Sequence, residues 1–256
     1  MRHRAIVLNL ALAAAIGFSS VTFAQQRGAP KNQTPDLSGV WSMRTSPTTR
    51  YLLGTFTPEE PPMTPWAQER MKLNKPSFGA NGVADSNDPV NPTTIDAVGC
   101  FPPGLPRIYL HPFPMEIVQS PGRVLMIYEF NHFVRQIFTD GRKHSTDLGP
   151  TWMGDSIGKW EGDTLVADTI GFNDKTWLDR AGHPHSENLH LVERFRRVDA
   201  NTLTIDLTIE DPTAYTKPLK SQLTFQLRPN WNITEMICED NITYNEYLKN
   251  EERPVK

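Results

Sequence analysis

Hydrophobic and polar residues alternate with a period of two over much of the chain beyond residue 107, a pattern that predicts β-strands. Short turn sequences interrupt the alternation: Asn131-His132 and Gly162-Asp163 indicate hairpins, and Asp140-Gly141 indicates a further turn. The predicted strands span residues 124–130, 133–138, 159–161, 164–172, 189–198, 202–209 and 219–227, with a last strand at 234–238. A series of this kind is typical of an antiparallel β-barrel or sandwich.

Residues 44–106 lack this alternation and are rich in Pro, Thr, Asn and Gly. Only residues 65–73 have a helical pattern, with Thr64 as the predicted cap and Pro65 at the first helical position. Such a segment cannot bury enough apolar surface alone to offset its loss of conformational entropy, so we expect it to wrap around the barrel. We call residues 44–106 the arm. It is predicted to belong to one all-β domain, residues 37–250, which follows a flexible lead-in at 25–36.

Residues 1–24 have the pattern of a secretory signal peptide. A basic start with Arg2 and Arg4 precedes an apolar stretch at 5–18, and Ala24 ends the segment with a small residue. The apolar stretch is shorter than the roughly 20 residues of a membrane-spanning helix. We therefore predict a periplasmic or extracellular protein with no membrane span after signal removal. Its mature charge is more negative than −3 and it has no basic stripe, which disfavours nucleic acid as a partner.

The chain has two cysteines, Cys100 and Cys238, which an exported protein would bring into an oxidising environment. An even number of cysteines there favours one disulfide, which would tie the arm to the C-terminal segment. Two unpaired thiols are the alternative, because the sequence alone does not show the distance between the two residues.

Four charged residues share a strand face with apolar side chains in the predicted strands: Glu129, Arg135, Asp168 and Glu193. Burial of an unpaired charge is costly, so these groups must be paired, protonated or close to water. One interpretation is an ion-pair network around Arg135 that fixes the strand register. The other is a polar-lined cavity inside the barrel, in which the buried carboxylates act as acids and bases or anchor a ligand.

The segment 177–194 is the part of the chain densest in chemically active residues, with three of the seven histidines. A proline separates His183 from His185, and no Glu follows at the spacing of a cupin metal site, so a metal site is disfavoured. We predict instead that His185 acts as a general acid or base, oriented by Asp179 or Glu187. Asp179 is also close enough in sequence to orient His183. Solvated loop histidines without a role are the alternative.

Ligand-binding residues are predicted around the same strands and loops. Arg135 or Arg194 would hold an anion, and Glu129 and His183 are further candidates. Three tryptophans would either pack the core or line a pocket for an apolar ligand; they are Trp152, Trp160 and Trp177. The chain has no Gly-x-Ser-x-Gly elbow and no phosphate-binding glycine loop. Covalent serine chemistry and a nucleotide cofactor are therefore not expected.

The segment Gly39-Val40-Trp41 resembles the Gly-x-Trp signature of lipocalins and other calycin barrels. In those proteins the tryptophan closes one end of an antiparallel barrel around a small hydrophobic ligand, so the resemblance implies that fold here. The chain also resembles a family of secreted bacterial proteins over most of residues 88–245, a resemblance that implies no particular activity. The blocks that carry it are 100–107, 140–142, 158–165, 184–187, 193–194 and 238–241.

These observations predict an exported barrel of calycin type with a pocket between the loops at 140–160 and 173–188. The leading functional hypothesis is a lyase, isomerase or hydrolase that uses histidine and carboxylate groups on a small apolar or aromatic molecule and needs no cofactor. One alternative is a periplasmic carrier whose barrel holds an apolar ligand without chemistry. Another is a structural protein that binds a partner through the arm.

Overall fold

The computed structural model describes residues 34–78, 82–90 and 100–238, and its strands form one closed barrel. The nine strands are β1 (Gly39–Met43), β2 (Met115–Ser120), β3 (Arg123–Tyr128), β4 (Val134–Phe138), β5 (Asp155–Glu161), β6 (Thr164–Ile170), β7 (His190–Arg197), β8 (Thr202–Glu210) and β9 (Leu219–Leu227). Within the described ranges the helical elements are one α-helix, α1 (Pro65–Met71), and the 3-10 helices Pro47–Leu53 and Arg107–Leu110. The predicted all-β barrel is therefore confirmed. The predicted signal peptide and most of the lead-in lie outside the described residues.

Strand order around the barrel follows chain order, and the barrel closes where β1 pairs with β9. Neighbouring strands are antiparallel except for β4 and β5, which run parallel through the pairs Ile137↔Ser156 and Phe138↔Ile157. The long connection 139–154 makes this possible, because parallel neighbours need a crossover of roughly a dozen residues or more. The prediction of a wholly antiparallel barrel is wrong at this one pair.

Both predicted hairpins are confirmed. Asn131 and His132 both have a φ of 51°, the left-handed conformation that a two-residue type I′ turn requires. Gly162 has a φ of 65° in the turn between β5 and β6. The predicted strand at 234–238 does not form, and Met236 makes an isolated bridge there instead.

Inward-facing side chains fill the barrel as one continuous hydrophobic cluster. On β7 the alternation is as predicted, because Leu191, Glu193 and Phe195 are all buried. On β4 Arg135 is buried together with Ile137. The two predicted inward charges on these strands therefore lie inside the barrel.

Asp168 and Glu129 lie on the outer side of the barrel, so their predicted inward placement is wrong. The inner face of β6 consists of Leu165, Ala167 and Thr169. The inner face of β3 consists of Val124, Met126 and Tyr128. Both strands also carry apolar residues outside, so apolar content does not distinguish their two faces. The Glu129 carboxylate accepts hydrogen bonds from the backbone and hydroxyl of Thr234, both at 3.0 Å.

The arm packs against loops at one end of the barrel. Helix α1 begins as predicted, with Thr64 Oγ1 accepting the N–H of Ala67 at 3.3 Å, and it ends at Met71. The hydroxyl of Thr64 also donates to the carbonyl of Thr213 at 2.6 Å, which joins the arm to the loop after β8. Met63 of the arm also forms an isolated β-bridge with Tyr215 in the same loop. A segment with little secondary structure of its own is thus held by the barrel.

Cys100 and Cys238 form the predicted disulfide, with a Cα–Cα distance of 5.6 Å. The bond lies in a small hydrophobic cluster with Val90 and Phe130. It therefore ties the end of the arm to the segment after the last strand. Within the described ranges, no helix has the length and apolar character needed to cross a membrane.

The tryptophan of the Gly-x-Trp motif is fully buried where β7 and β9 end. Trp41 Nε1–H donates to the carbonyl of Leu37 at 2.9 Å. The guanidinium of Arg197 lies 5.4 Å from the Trp41 ring centroid, within the range of a cation–π contact. Arg197 also donates to the carbonyl of Asp36 at 2.7 Å, which holds the chain before β1 against the end of β7.

Candidate functional site

The loop between β6 and β7 contains a tight turn built around one carboxylate. Residues 177–184 fold as a short hairpin, in which Leu178 N–H donates to the carbonyl of His183 at 2.7 Å. Inside this hairpin, Asp179 Oδ1 accepts the backbone N–H groups of Ala181 at 2.9 Å and of His183 at 3.2 Å. Aspartate commonly stabilises turns through such bonds to its own backbone. The backbone thus fixes the position of the Asp179 carboxylate.

The same carboxylate holds the imidazole of His183. Nδ1 of His183 lies 2.6 Å from Asp179 Oδ2, and both side chains are 3% exposed. Nε2 lies 3.2 Å from Oε1 of Glu60, whose side chain is 67% exposed. Burial alone would lower the pKa of His183, but the hydrogen bonds and charges of Asp179 and Glu60 outweigh it and raise the pKa to about 9. At neutral pH the ring is an imidazolium that donates from both nitrogens.

A pocket of about 440 Å³ opens beside His183 and Glu60, between the arm and the 177–184 hairpin. Its wall is largely apolar and aromatic, and Arg50 adds a positive charge. The apolar and aromatic lining residues are Tyr51, Leu53, Met71, Phe78 and Ala181. Its volume and composition are those of a small-molecule site. We call it the His183 pocket.

Contacts between the arm and the hairpin give the His183 pocket its shape. Arg180 Nη1 donates to the carbonyl of Leu53 at 2.7 Å, and the guanidinium lies 3.8 Å from the ring centroid of Phe78. Asn74 Nδ2 donates to the carbonyl of Gly182 at 2.7 Å. Gly182 has a φ of 95°, a conformation that strains any other residue, so a glycine suits this close approach of arm and hairpin.

His185, the predicted general acid or base, lies outside the His183 pocket. It lines a smaller pocket of about 170 Å³ together with Trp177. Burial lowers the pKa of His185, so the ring is neutral at neutral pH. Its predicted orienting residues lie elsewhere, since Asp179 holds His183 and Glu187 is exposed. Of the two predicted partners of Asp179, it is therefore His183 and not His185 that contacts this carboxylate.

Inside the barrel, Arg135 and Glu193 form an ion pair within a buried polar network. Arg135 Nη1 donates to Glu193 Oε1 at 2.9 Å, and Arg135 Nη2 pairs with Glu193 Oε2. The Tyr109 hydroxyl donates to Glu193 at 2.7 Å, while Arg135 also donates to Ser156 at 3.1 Å and Thr169 at 2.9 Å. Burial by itself lowers the pKa of Arg135, but Glu193, Tyr109 and Tyr128 together outweigh burial and raise it. Because the network uses its own donors and acceptors, it favours the interpretation of a structural ion pair.

On the outer face of the barrel, Asp168 lies between two histidines. Its carboxylate oxygens are 2.9 Å from His144 Nε2 and 3.1 Å from His190 Nε2. The other ring nitrogens contact Asp155 at 3.1 Å and Glu210 at 3.2 Å. Partial burial raises the pKa of Asp168, but the two histidines outweigh it, so the pKa is lowered. The result is a row of alternating carboxylates and imidazoles across β5 to β8.

A groove of about 500 Å³ adjoins this row and is lined by residues of the 140–160 loop region. Residues of the 173–188 loop line the other two pockets, in both cases together with the arm. The predicted pocket between the 140–160 and 173–188 loops is not one of these three pockets. In both pockets that the 173–188 loop lines, the opposite wall comes from the arm, whereas the sequence patterns predicted that it would come from the 140–160 loop.

The other predicted ligand-binding residues lie apart from the His183 pocket. Arg194 pairs with an exposed glutamate at the end of β5 at 3.1 Å. Trp152 packs against Phe101 with ring centroids 5.5 Å apart, and Trp160 packs against the core cluster from a partly buried position. Trp177 is buried and lines the smaller pocket. The three tryptophans therefore do not share one site.

A second buried ion pair joins the arm to the 3-10 helix before β2. Arg107 Nη2 lies 2.7 Å from both carboxylate oxygens of Asp88, and both side chains are fully buried. Arg107 also lies over the ring of Trp177, 5.3 Å from its centroid. His111 Nε2 is buried without a hydrogen-bond partner among the described residues. Burial, together with the charges of Arg107 and Arg180, lowers the pKa of His111 well below its usual value.

Sequence patterns alone do not identify the contribution of the arm to the His183 pocket. Tyr51, Glu60 and Phe78 lie far from His183 along the chain, in a segment without periodicity. The one available signal is the length of the arm, because long irregular segments in compact domains are commonly functional.

No family model matches the chain, and a comparison with curated proteins also gives no match. In the ranges that the structure describes, no group of three or more His, Cys, Asp or Glu side chains is arranged to hold a metal ion.

Proposed function

We propose that the protein acts on a small molecule in the His183 pocket, with His183 as the general acid and base. Asp179 is the residue that positions it. The observation that carries the proposal is the 2.6 Å contact between Asp179 Oδ2 and His183 Nδ1 at the wall of a largely apolar pocket. A buried carboxylate on one nitrogen fixes the ring and its tautomer and leaves the other nitrogen for a substrate.

The protonation state of His183 indicates the order of events. Because its pKa is raised to about 9, the ring enters the reaction as an imidazolium and donates the Nε2 proton to a leaving group or to a developing oxyanion. The neutral ring then takes a proton back from water or from the product. Glu60, which is exposed and contacts the same nitrogen when the pocket holds no ligand, then exchanges that proton with solvent. This chemistry suits a lyase, isomerase or hydrolase that needs no cofactor.

A binding protein without chemistry is the second candidate, and the aromatic and aliphatic wall of the pocket favours it. A calycin-type carrier, which the Gly-x-Trp resemblance implies, would hold its ligand inside the barrel. Among the described residues, however, the inward-facing side chains pack as a hydrophobic cluster around a polar network. We therefore propose the space under the arm as the binding site in either case. We also propose a periplasmic or extracellular location, which the Cys100–Cys238 disulfide supports.

Incubation of the purified protein with a bacterial small-molecule extract, followed by mass spectrometry, tests the enzyme proposal. We expect the wild-type protein to consume at least one compound. His183→Gln should consume the same compound at a rate reduced by about a hundredfold or more. Glu187→Gln is the matched control, because this exposed carboxylate lies in the same loop but outside the pocket. Consumption by His183→Gln at the wild-type rate would overturn the assignment. A compound that native mass spectrometry finds bound and unchanged would support the carrier instead.

A further inference from the structure

We propose that the ligand of the His183 pocket is a small apolar monocarboxylate, whose carboxylate takes the place of Glu60 at His183 Nε2. This inference rests on the proposed function in placing the ligand in this pocket, and it adds the chemical class of that ligand. It follows from the unequal way in which the two nitrogens of one buried ring are held.

The contact of Asp179 with the ring is held in place by the backbone of the hairpin. Its carboxylate accepts two backbone N–H groups of the hairpin, at 2.9 and 3.2 Å, as well as His183 Nδ1 at 2.6 Å. Removing it from the ring would break the turn that shapes the hairpin. Nδ1 is therefore closed to any ligand.

The contact of Glu60 with the ring is replaceable. Its side chain is 67% exposed, and its hydrogen bond among the described residues is the 3.2 Å contact with Nε2. Glu60 is already largely in water, so its rotation away from Nε2 changes its own solvation little. The rotation would leave a buried imidazolium with one N–H directed at the pocket and no counter-charge on that side. A second carboxylate, brought by a ligand, satisfies this N–H as Glu60 does.

The surrounding charges favour an anion at that position. Among the described residues, the charged and titratable groups near His183 are Asp179 from the hairpin, Arg50, Tyr51 and Glu60 from the arm, Tyr215 from the loop after β8, and Arg180, which contacts the pocket residues Leu53 and Phe78. Asp179 balances one positive charge, and Tyr215 donates its hydroxyl proton to the carbonyl of Pro184 at 2.7 Å. When Glu60 turns away, the cations Arg50 and Arg180 leave the pocket with excess positive charge.

The rest of the pocket fits an apolar body of limited size. Tyr51, Leu53, Met71 and Phe78 form most of its wall. A volume of about 440 Å³ is near the lower end of the range for small-molecule sites. One ring or a short alkyl chain, attached to the carboxylate, matches this combination of one charged corner and an apolar wall.

The pH range of binding follows from the same groups. A simple carboxylate is ionised above about pH 5, whereas the raised pKa of His183 keeps the ring protonated up to about 9. The preference for a carboxylate should therefore hold across neutral pH and be lost as the pH rises through about 9.

Two pairs of nearly isosteric probes, phenylacetate with phenylacetamide and hexanoate with hexanamide, test the proposal by calorimetry or ligand-observed NMR at pH 7. At least one carboxylate should bind about tenfold or more tightly than its amide, because a charge-assisted hydrogen bond is replaced by a neutral one. The preference should disappear at pH 10.5 in the wild-type protein, which needs no variant to fold.

Two variants locate the effect within the pocket. Glu60→Gln removes the competing carboxylate, so it should bind the favoured acid several-fold more tightly than wild type does. Glu59→Gln makes the same charge change at the neighbouring exposed residue, which does not line the pocket, and should bind as wild type does. Equal binding of acid and amide in both pairs, or no binding of any probe, would overturn the ligand class. A carboxylate preference that Glu60→Gln leaves unchanged would overturn the displacement of Glu60.

These results are separate from the test of the enzyme proposal. A carboxylate that binds in the pocket without any His183-dependent consumption of compounds would support the ligand class and overturn catalysis. If the protein consumes uncharged compounds in a His183-dependent way but binds no carboxylate, catalysis would be supported and the ligand class overturned.

Discussion

The carboxylate of Glu193 on β7 and the guanidinium of Arg135 on β4 meet inside the barrel, although their strands are not neighbours. The two side chains are at most 1% exposed, so each depends on the other for its counter-charge. Tyr109, Ser156 and Thr169 complete the hydrogen bonds around the pair. A shift of either strand by one residue would turn its charge outward, so the pair is coupled to the strand register.

Replacement of Glu193 by Gln should leave the Arg135 guanidinium buried without a counter-charge. We expect the free energy of unfolding to fall by about 3–5 kcal/mol, measured by chemical denaturation. Asp168→Asn on the outer face, where the side chain is 42% exposed, should cost about 1 kcal/mol or less and serves as the control. The double variant Arg135→Met/Glu193→Leu should recover much of the loss. A double variant no more stable than Glu193→Gln would argue against a penalty from the unpaired charge.

The disulfide should contribute substantially to stability, because Cys100 and Cys238 are 138 positions apart. In the chain-entropy model, closing so long a loop destabilises the unfolded state by on the order of 4 kcal/mol or more. We therefore expect the double variant Cys100→Ser/Cys238→Ser to unfold at a clearly lower temperature in thermal denaturation. Reductant should lower the unfolding temperature of wild type toward that of the variant and leave the variant unchanged. Equal unfolding temperatures without reductant would contradict the prediction.

His183 should make stability depend on pH on the alkaline side. Its pKa is about 9 in the folded protein against 6.5 for an ordinary histidine, so the folded state holds the proton more tightly. The resulting stabilisation is fully present below about pH 6.5 and is lost as the pH rises through about 9; its size is on the order of 3 kcal/mol. Denaturation of wild type and His183→Gln at pH 6.5 and pH 10 measures it. The difference between the two proteins should shrink at pH 10, and a difference independent of pH would refute the assignment.

His111 should have the opposite effect on the acid side. The ring is buried, its pKa lies well below 6.5, and Arg107 and Arg180 add positive charge nearby. As the pH falls below about 6.5, the unfolded chain gains a proton that the folded protein does not take up, so stability decreases. His111→Phe should remove this loss and keep the packing against Phe130, whose ring centroid is 4.9 Å away. Urea denaturation measures the free energy of unfolding of both proteins. The value for the variant minus the value for wild type should be larger at pH 5 than at pH 8.

The barrel could be predicted from sequence, but the faces of individual strands only in part. On β7 the inner face holds Leu191 and Phe195, whereas the outer face is polar apart from Val192, so the position of Glu193 can be predicted from the alternation. On β6 the inner face includes the small Ala167 and the polar Thr169, whose hydroxyl belongs to the Arg135 network. The larger apolar Val166 and Ile170 lie on the other face, so hydrophobicity alone favours the wrong one. Where a polar network lies inside a barrel, the inner face of a strand contains polar residues, so the hydrophobic pattern does not identify it as the inner face.

The candidate site could be predicted from sequence only in its local part. The density of histidines and carboxylates in 177–194 marks the loop that carries the proposed site, and Asp179 is local to His183. Which histidine meets the aspartate depends on the backbone of the turn, including the positive φ of Gly182. The contribution of Glu60 and the other arm residues depends on contacts between distant parts of the chain. Alternation and local motifs carry no information about such contacts.

The parallel pairing of β4 with β5 gives the barrel a natural opening line. It consists of two residue pairs, whereas β7 and β8 share eight. Arg135 spans this line, because it sits on β4 and donates to Ser156 on β5 and Thr169 on β6. At the β4–β5 pairing, side-chain hydrogen bonds therefore hold the strands together, a role that backbone hydrogen bonds have in the rest of the sheet. The barrel is therefore a sheet whose closure between β4 and β5 depends mainly on the side chain of Arg135. When the barrel opens locally, backbone amide hydrogens of β4 and β5 along this pairing should be the first of the sheet to exchange with solvent.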